Sequence, residues 1–91
     1  MHNLLKAKKL VEGGWCQKSF HEGDSYCAMG ALMAVETVRH SDYGFLLEAI
    51  NGSDRFNFIS LTQWNDKTER TKEQVLKLFD KAIKIAEARV A

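Results

Sequence analysis

Apolar residues recur at helical spacing along most of this chain, and glycine-bearing or polar breaks cut the pattern into pieces of helical length. The breaks fall at Gly13-Gly14, Glu22-Gly23-Asp24, Arg39-His40-Ser41 and Asn51-Gly52-Ser53. A first helix is predicted over about residues 3–12, with Leu4, Ala7 and Val11 on one face, Leu10 beside them, and Lys6, Lys8 and Lys9 in water. Gly13 and Gly14 should end it, since glycine accepts the left-handed conformation common at helix C-termini. Residues 18–23 read as a loop, after which Asp24 or Ser25 can cap a helix over about 26–38. There Cys27, Gly30, Ala31, Ala34 and Val38 form a row of small side chains, flanked by rows of Ala28, Leu32 and Val35 and of Met29 and Met33. A helix apolar nearly all round belongs at the centre of the fold. Gly30 inside it costs about 1 kcal/mol against alanine, which points to close approach by another backbone or an indole face.

Ser41 is placed to cap a short helix over about 42–50, with Phe45, Leu46, Ala49 and Ile50 inward and Asn51-Gly52 as its stop. Ser53 can start a further turn or two through Phe56, Ile59 and Gln63, although Phe56 to Trp64 also carries the chain's one trace of alternation, so helix and extended strand both stay open there. The clearest helix begins at Thr71. Thr71 and Gln74 have the spacing of a capping box, and Val75, Phe79, Ala82, Ile83, Ala86 and Val90 centre a stripe that Leu76, Leu78 and Ile85 widen. Glu73–Lys77 and Asp80–Lys84 are correctly ordered i,i+4 pairs on the wet face. The pattern therefore predicts an all-α fold: one small domain over residues 1–91, a bundle of four to five short helices around a buried central helix.

Composition narrows the class. With 91 residues, 45% hydrophobic and 27% charged, the chain suits an ordinary globular domain with one small core. The longest strongly apolar run, Cys27 to Val35, is far short of the ~20 residues a membrane span needs, and no membrane partner is expected. Residues 1–10 show no signal-peptide pattern, and two cysteines without one fit reduced thiols in the cytoplasm. The net charge of +1 conceals basic ends flanking an acidic middle, which favours packing the terminal helices against the central segment. No block of like charge is dense enough for a nucleic-acid footprint, and the outer face of the last helix mixes signs. Nucleic acid is therefore the weaker partner class, carried only by Lys67, Arg70, Lys72 and Lys77.

Candidate chemistry gathers around two stretches. Cys27 is expected in the first turn of the central helix, where the macrodipole lowers a thiol pKa, with His21 as a base and Asn65 or Asp66 to orient it. The competing reading is a cysteine that simply packs, which is what buried cysteines usually do. Cys16, His21 and Cys27 could ligate zinc, but the spacing has no paired knuckle, and neither metal nor cofactor is expected. Trp64-Asn65-Asp66 is the second stretch. In the structural reading Trp64 sits over Gly30 and Ala31, Asn65 stops the preceding turn, and Asp66 bonds the amides of the connector. In the functional reading the amide and carboxylate floor a recognition cleft. Trp15, Gln17 and Cys27 join Trp64, Asn65 and Asp66 as candidate binding residues; no catalytic set is convincing.

Three pieces together resemble a known family: Gly14-Trp15-Cys16-Gln17, then Tyr26-Cys27-Ala28-Met29-Gly30-Ala31-Leu32, then Trp64-Asn65-Asp66 followed by Thr71 to Ala86. The chain is similar to small uncharacterised bacterial and phage proteins classed as a domain of unknown function, with G-W-x-Q, W-C-A-x-G-A-L and W-N-D motifs. Tyr26 stands where that pattern has tryptophan, Gln74 where glutamate is commoner, and the loop over 18–24 is short. The resemblance implies a small helical domain and no activity. The functional expectation is a cytoplasmic protein-interaction module, a phage or mobile-element accessory whose partner is a host protein or a second copy. The alternative is a small enzyme or ligand-binding domain using Cys27, His21, Asn65 and Asp66.

Overall fold

The computed structural model describes residues 2–35, 41–52 and 59–90. In chain order these form α1 (His2–Gly13), β1 (His21–Glu22), β2 (Ser25–Tyr26), α2 (Ala28–Val35), α3 (Ser41–Asn51), α4 (Leu61–Asn65) and α5 (Lys72–Val90). Among the described residues the domain is all-α apart from the small antiparallel hairpin β1–β2, which pairs His21 with Tyr26 and Glu22 with Ser25. Helices α1, α3 and α5 form where the periodicity places them. Their buried faces meet in one core: Leu4, Ala7 and Val11 from α1, Ala28, Ala31 and Leu32 from α2, Leu46 and Ala49 from α3, Leu61 from α4, and Val75, Leu78, Phe79, Ala82 and Ala86 from α5. Helix α5 packs on both α3 and α1, and α1 packs on α2. The α5 stripe is turned slightly from the predicted one, with Leu78 buried and Ile83 half-buried.

Helix ends show how side chains satisfy the free backbone groups. Thr71 and Gln74 form the expected box: the Gln74 amide donates to Thr71 Oγ1 at 3.2 Å and the Thr71 amide to Gln74 Oε1 at 3.1 Å. Helix α3 ends as predicted, with Gly52 in the left-handed region at φ +60° and its amide donating to Glu48 O at 2.7 Å. At α1 the reason for glycine differs from the expectation. Neither Gly13 nor Gly14 has a positive φ. Gly14 is needed for space, because a Cβ there would lie 2.8 Å from Ser25 Oγ and 3.0 Å from Asp24 O. Helix α4 begins at Leu61, capped by Ser60 in a box with Gln63, so residues 59–60 are not helical as the extension from Ser53 would require. Residues 53–58, including Ser53, Phe56 and Phe58, lie outside the described residues, as does Val38.

The central helix departs from the prediction in three ways. It starts at Ala28, because Tyr26 belongs to β2 and also bridges Trp15 in parallel register. Neither Asp24 nor Ser25 caps it; the Ala28 amide donates to the side chain of Asn65 at 3.0 Å. It is also open on one side toward its end, with Ala34 exposed and Met33 half-exposed. Gly30 is explained by a backbone and not by an indole: a Cβ would fall 1.8 Å from Phe20 O and 2.6 Å from Phe20 C. The seat proposed for Trp64 over that row is thus taken by the segment before β1, pinned there by the Cys27 amide donating to Phe20 O at 3.2 Å. Trp64 instead lies half-buried against the core, with the Arg70 guanidinium 3.7 Å from its ring centroid.

Charge pairing follows part of the expected scheme. Arg89 of α5 meets Glu48 of α3, a basic end on the acidic middle, while Lys8 Nζ lies 2.7 Å from Asp80 Oδ1 and joins the two terminal helices to each other. The Asp80 hydrogen bond raises the Lys8 pKa, but the pair is solvent-facing and its stabilisation is small.

Because the clash at Gly30 is with backbone, which has no rotamer to change, Gly30→Ala is expected to destabilise the domain by about 2–3 kcal/mol or more in urea unfolding. Alanine is the better helix former, so a variant as stable as wild type would contradict the close approach.

Candidate functional site

The residues around Asn65 are joined by side-chain hydrogen bonds across long stretches of sequence. Helix α4 turns its last residue, Asn65, fully inward at 0% exposure. A buried carboxamide has two acceptor and two donor positions to fill. Asn65 fills all of them. Its Oδ1 accepts from Trp15 Nε1 at 2.8 Å and from the Ala28 amide at 3.0 Å; its Nδ2 donates to Cys16 O at 3.1 Å and to Asp66 Oδ1 at 3.0 Å. The orientation of the amide is fixed by these partners, since a flip would set NH2 against two N–H donors. Gln17 adds a second tie, donating to Asn65 O at 2.9 Å and to Lys67 O at 2.7 Å.

Asp66 also faces a distant segment. Its Oδ1 accepts from the Lys18 amide at 2.8 Å, so it holds the segment before β1 and not the connector amides of an Asx-turn. Lys18 sits at φ 65°, a left-handed conformation that costs a non-glycine residue about 1–2 kcal/mol. The charge-assisted bond to Asp66 offsets that cost. Trp64 contributes through its backbone as well as its ring: Arg70 Nε donates to Trp64 O at 2.8 Å while the guanidinium covers the indole. Partial burial pulls the Arg70 pKa below its ordinary value, and the guanidinium remains charged.

All six candidate binding residues therefore lie in one neighbourhood, with Asn65 at its centre. The sequence reading did not single out Lys18, Phe20 or Thr62, and named Arg70 only as a nucleic-acid contact; these four complete it. One signal was available: Ser60 and Gln63 carry the same box spacing as Thr71 and Gln74, and would have fixed the start of α4.

Beside this centre a half-open pocket of about 290 Å³ is lined by Lys18, Ser19, Phe20, Cys27, Thr62 and Asp66. Its rim carries Phe20, 50% exposed. Cys27 is 2% exposed, and its Sγ accepts from the Gly30 amide at 3.2 Å. Burial nevertheless dominates and raises its pKa, opposite to the shift expected from a helix N-terminus. The Cys16 thiol is also pushed up, first by burial and further by the charges of Glu22 and Asp66, and it donates to Ser19 O at 3.4 Å. His21 stacks on Tyr26, ring centroids 4.5 Å apart, and is not among the residues lining the pocket. Among the described residues no three His, Cys, Asp or Glu side chains are grouped as metal ligands, and no helix is long and apolar enough to cross a membrane.

Fold and site together define a small helical domain tied through one buried asparagine. The chain belongs to DUF6197, a family of unknown function, whose match covers residues 2–85. No curated protein and no solved structure matches the chain.

The hydrogen-bond geometry separates two variants. Asn65→Ala strands Trp15 Nε1, the Ala28 amide and Cys16 O, each at about 1–3 kcal/mol if left unpaired, so a loss above about 3 kcal/mol is expected by denaturant titration. Trp15→Phe removes a single donor and should cost about 1 kcal/mol. Equal, small effects would contradict the arrangement. For the thiols, native-state labelling near neutral pH should be slower than for an unhindered thiol at both cysteines and slowest at Cys27, with rates rising with pH; a fast, pH-insensitive Cys27 would contradict the raised pKa.

Proposed function

We propose that this protein is a small protein-interaction module of the cytoplasm, an accessory in a phage or mobile-element setting, which binds another protein through the face around Phe20 and its pocket. The observation that carries the reading is Phe20 itself. Its backbone is clamped over Gly30 by the Cys27 amide, yet its ring is half-exposed at the rim of a pocket. A large aromatic presented from a fixed backbone binds a partner with little loss of conformational freedom, which is the character of interface anchors. The two free cysteines suit a reducing compartment.

The rival enzyme reading draws less support from the same residues. Asn65 has no free hydrogen-bonding position, the Cys27 thiol is held toward its neutral form, and His21 is stacked on Tyr26. For nucleic-acid binding, two of the four basic residues have other work: Arg70 covers Trp64, and Lys72 Nζ donates to Glu12 O at 2.7 Å.

Selection from a random peptide library against the full chain tests the proposal. Enriched peptides should bind wild type and lose binding to Phe20→Ser, while the variant keeps its thermal midpoint. Enrichment that ignores Phe20, or none at all, would contradict it.

A further inference from the structure

The pocket beside Asn65 has a wall of definite chemistry. Asp66 presents a carboxylate whose Oδ1 is held by two donors, the Lys18 amide at 2.8 Å and Asn65 Nδ2 at 3.0 Å. No hydrogen bond from the described residues falls on its Oδ2. A carboxylate accepts at both oxygens, about four lone-pair positions in all, so an immobilised anion keeps half its accepting capacity. Its fixation is built from far-separated parts: the buried Asn65 amide on one side and a lysine in the left-handed region on the other. Phe20 supplies an aromatic surface at the rim, Thr62 and Ser19 line the sides, and the buried Cys27 closes part of the wall. At about 290 Å³ the space lies at the lower end of ligand pockets, the size of one long side chain and small for a cofactor.

We infer that this pocket receives a basic side chain, a lysine or arginine of the partner protein, whose charged head bonds Asp66 and whose aliphatic stem lies against Phe20. The inference rests on the interaction reading above and names the chemistry of its anchor. A charge-assisted bond to a fixed carboxylate is stronger than a neutral one, and an aromatic face attracts both the cation and its stem. The fields of Asp66 and Glu22 both reach Cys16, where they raise its pKa, so this side of the domain has an acidic contribution beyond one residue. Lys18 is the opposing charge. Its side chain also lines the pocket, but the residue is exposed and its ammonium has no partner among the described residues, so it can turn to solvent as the incoming cation enters.

The test uses the full chain, isotopically labelled for NMR, with four probes: the Nα-acetyl amides of lysine, arginine, norleucine and glutamate. The two basic probes should give saturable shifts at the amides of Lys18, Phe20 and Asp66, with norleucine binding about tenfold more weakly or less. Asp66→Asn keeps Oδ1 as an acceptor for Lys18 and Asn65, removes the charge and puts an NH2 donor in place of the open Oδ2. It should weaken the basic probes about tenfold while the Asn65 side-chain resonances stay in place. Equal binding of the basic probes to Asp66→Asn, preference for the glutamate probe, or no saturable shift at the pocket would each overturn the inference. The peptide selection separates the two levels. Phe20-dependent peptides lacking any basic residue would overturn the basic anchor and leave the interaction reading standing, whereas loss of Phe20 dependence would overturn both.

Discussion

The buried carboxamide of Asn65 is the constraint on which the arrangement of this domain depends. It joins the segment after α1, the first turn of α2 and the end of α4, partners 37 to 50 residues away in sequence. Removed from water without partners, such a group would cost several kcal/mol; with all four positions filled it becomes a source of uniqueness instead. It also explains how α2 starts. A helix N-terminus leaves amides without intrahelical partners, and here one of them is met by a side chain from the far half of the chain.

From this one contact the rest of the site follows. Fixing Asn65 places Asp66, Asp66 holds Lys18 in a left-handed turn, and that turn carries the chain across Gly30 at a distance no side chain at position 30 would permit. Phe20 is thereby set at the edge of the pocket. Stability and the proposed recognition face are thus made of the same parts, and the small size of the domain leaves few other contacts to hold that face still.

Much of the scaffold was legible in the sequence because it is local. The α5 box at Thr71 and Gln74, the α3 stop at Gly52 and the Leu4–Ala7–Val11 face each depend on residues within a turn or two of one another. The hairpin was not legible, since strands of two residues such as His21–Glu22 leave no periodic signal. Asn65 does stop α4 as read, but its tie across the fold and that of Asp66 were not legible for a different reason: Asn and Asp after a helix commonly bond nearby amides, and nothing in their spacing reveals a distant partner. The same limit applies to Gly30, where close approach was readable but its source, the backbone of Phe20 in place of Trp64, was not. Trp15, Gln17, Cys27, Trp64, Asn65 and Asp66 nonetheless come together in the fold, because buried polar groups and aromatics with polar edges need hydrogen-bond partners.

Hydrogen exchange of side-chain protons tests the central claim most directly. If Asn65 is the buried tie, its Nδ2 protons and the Trp15 Nε1 proton should exchange only through global unfolding, with the same free energy as backbone amides in the middle of α5. Exchange of those protons through small local fluctuations, at rates near those of exposed amides while α5 stays protected, would contradict the account.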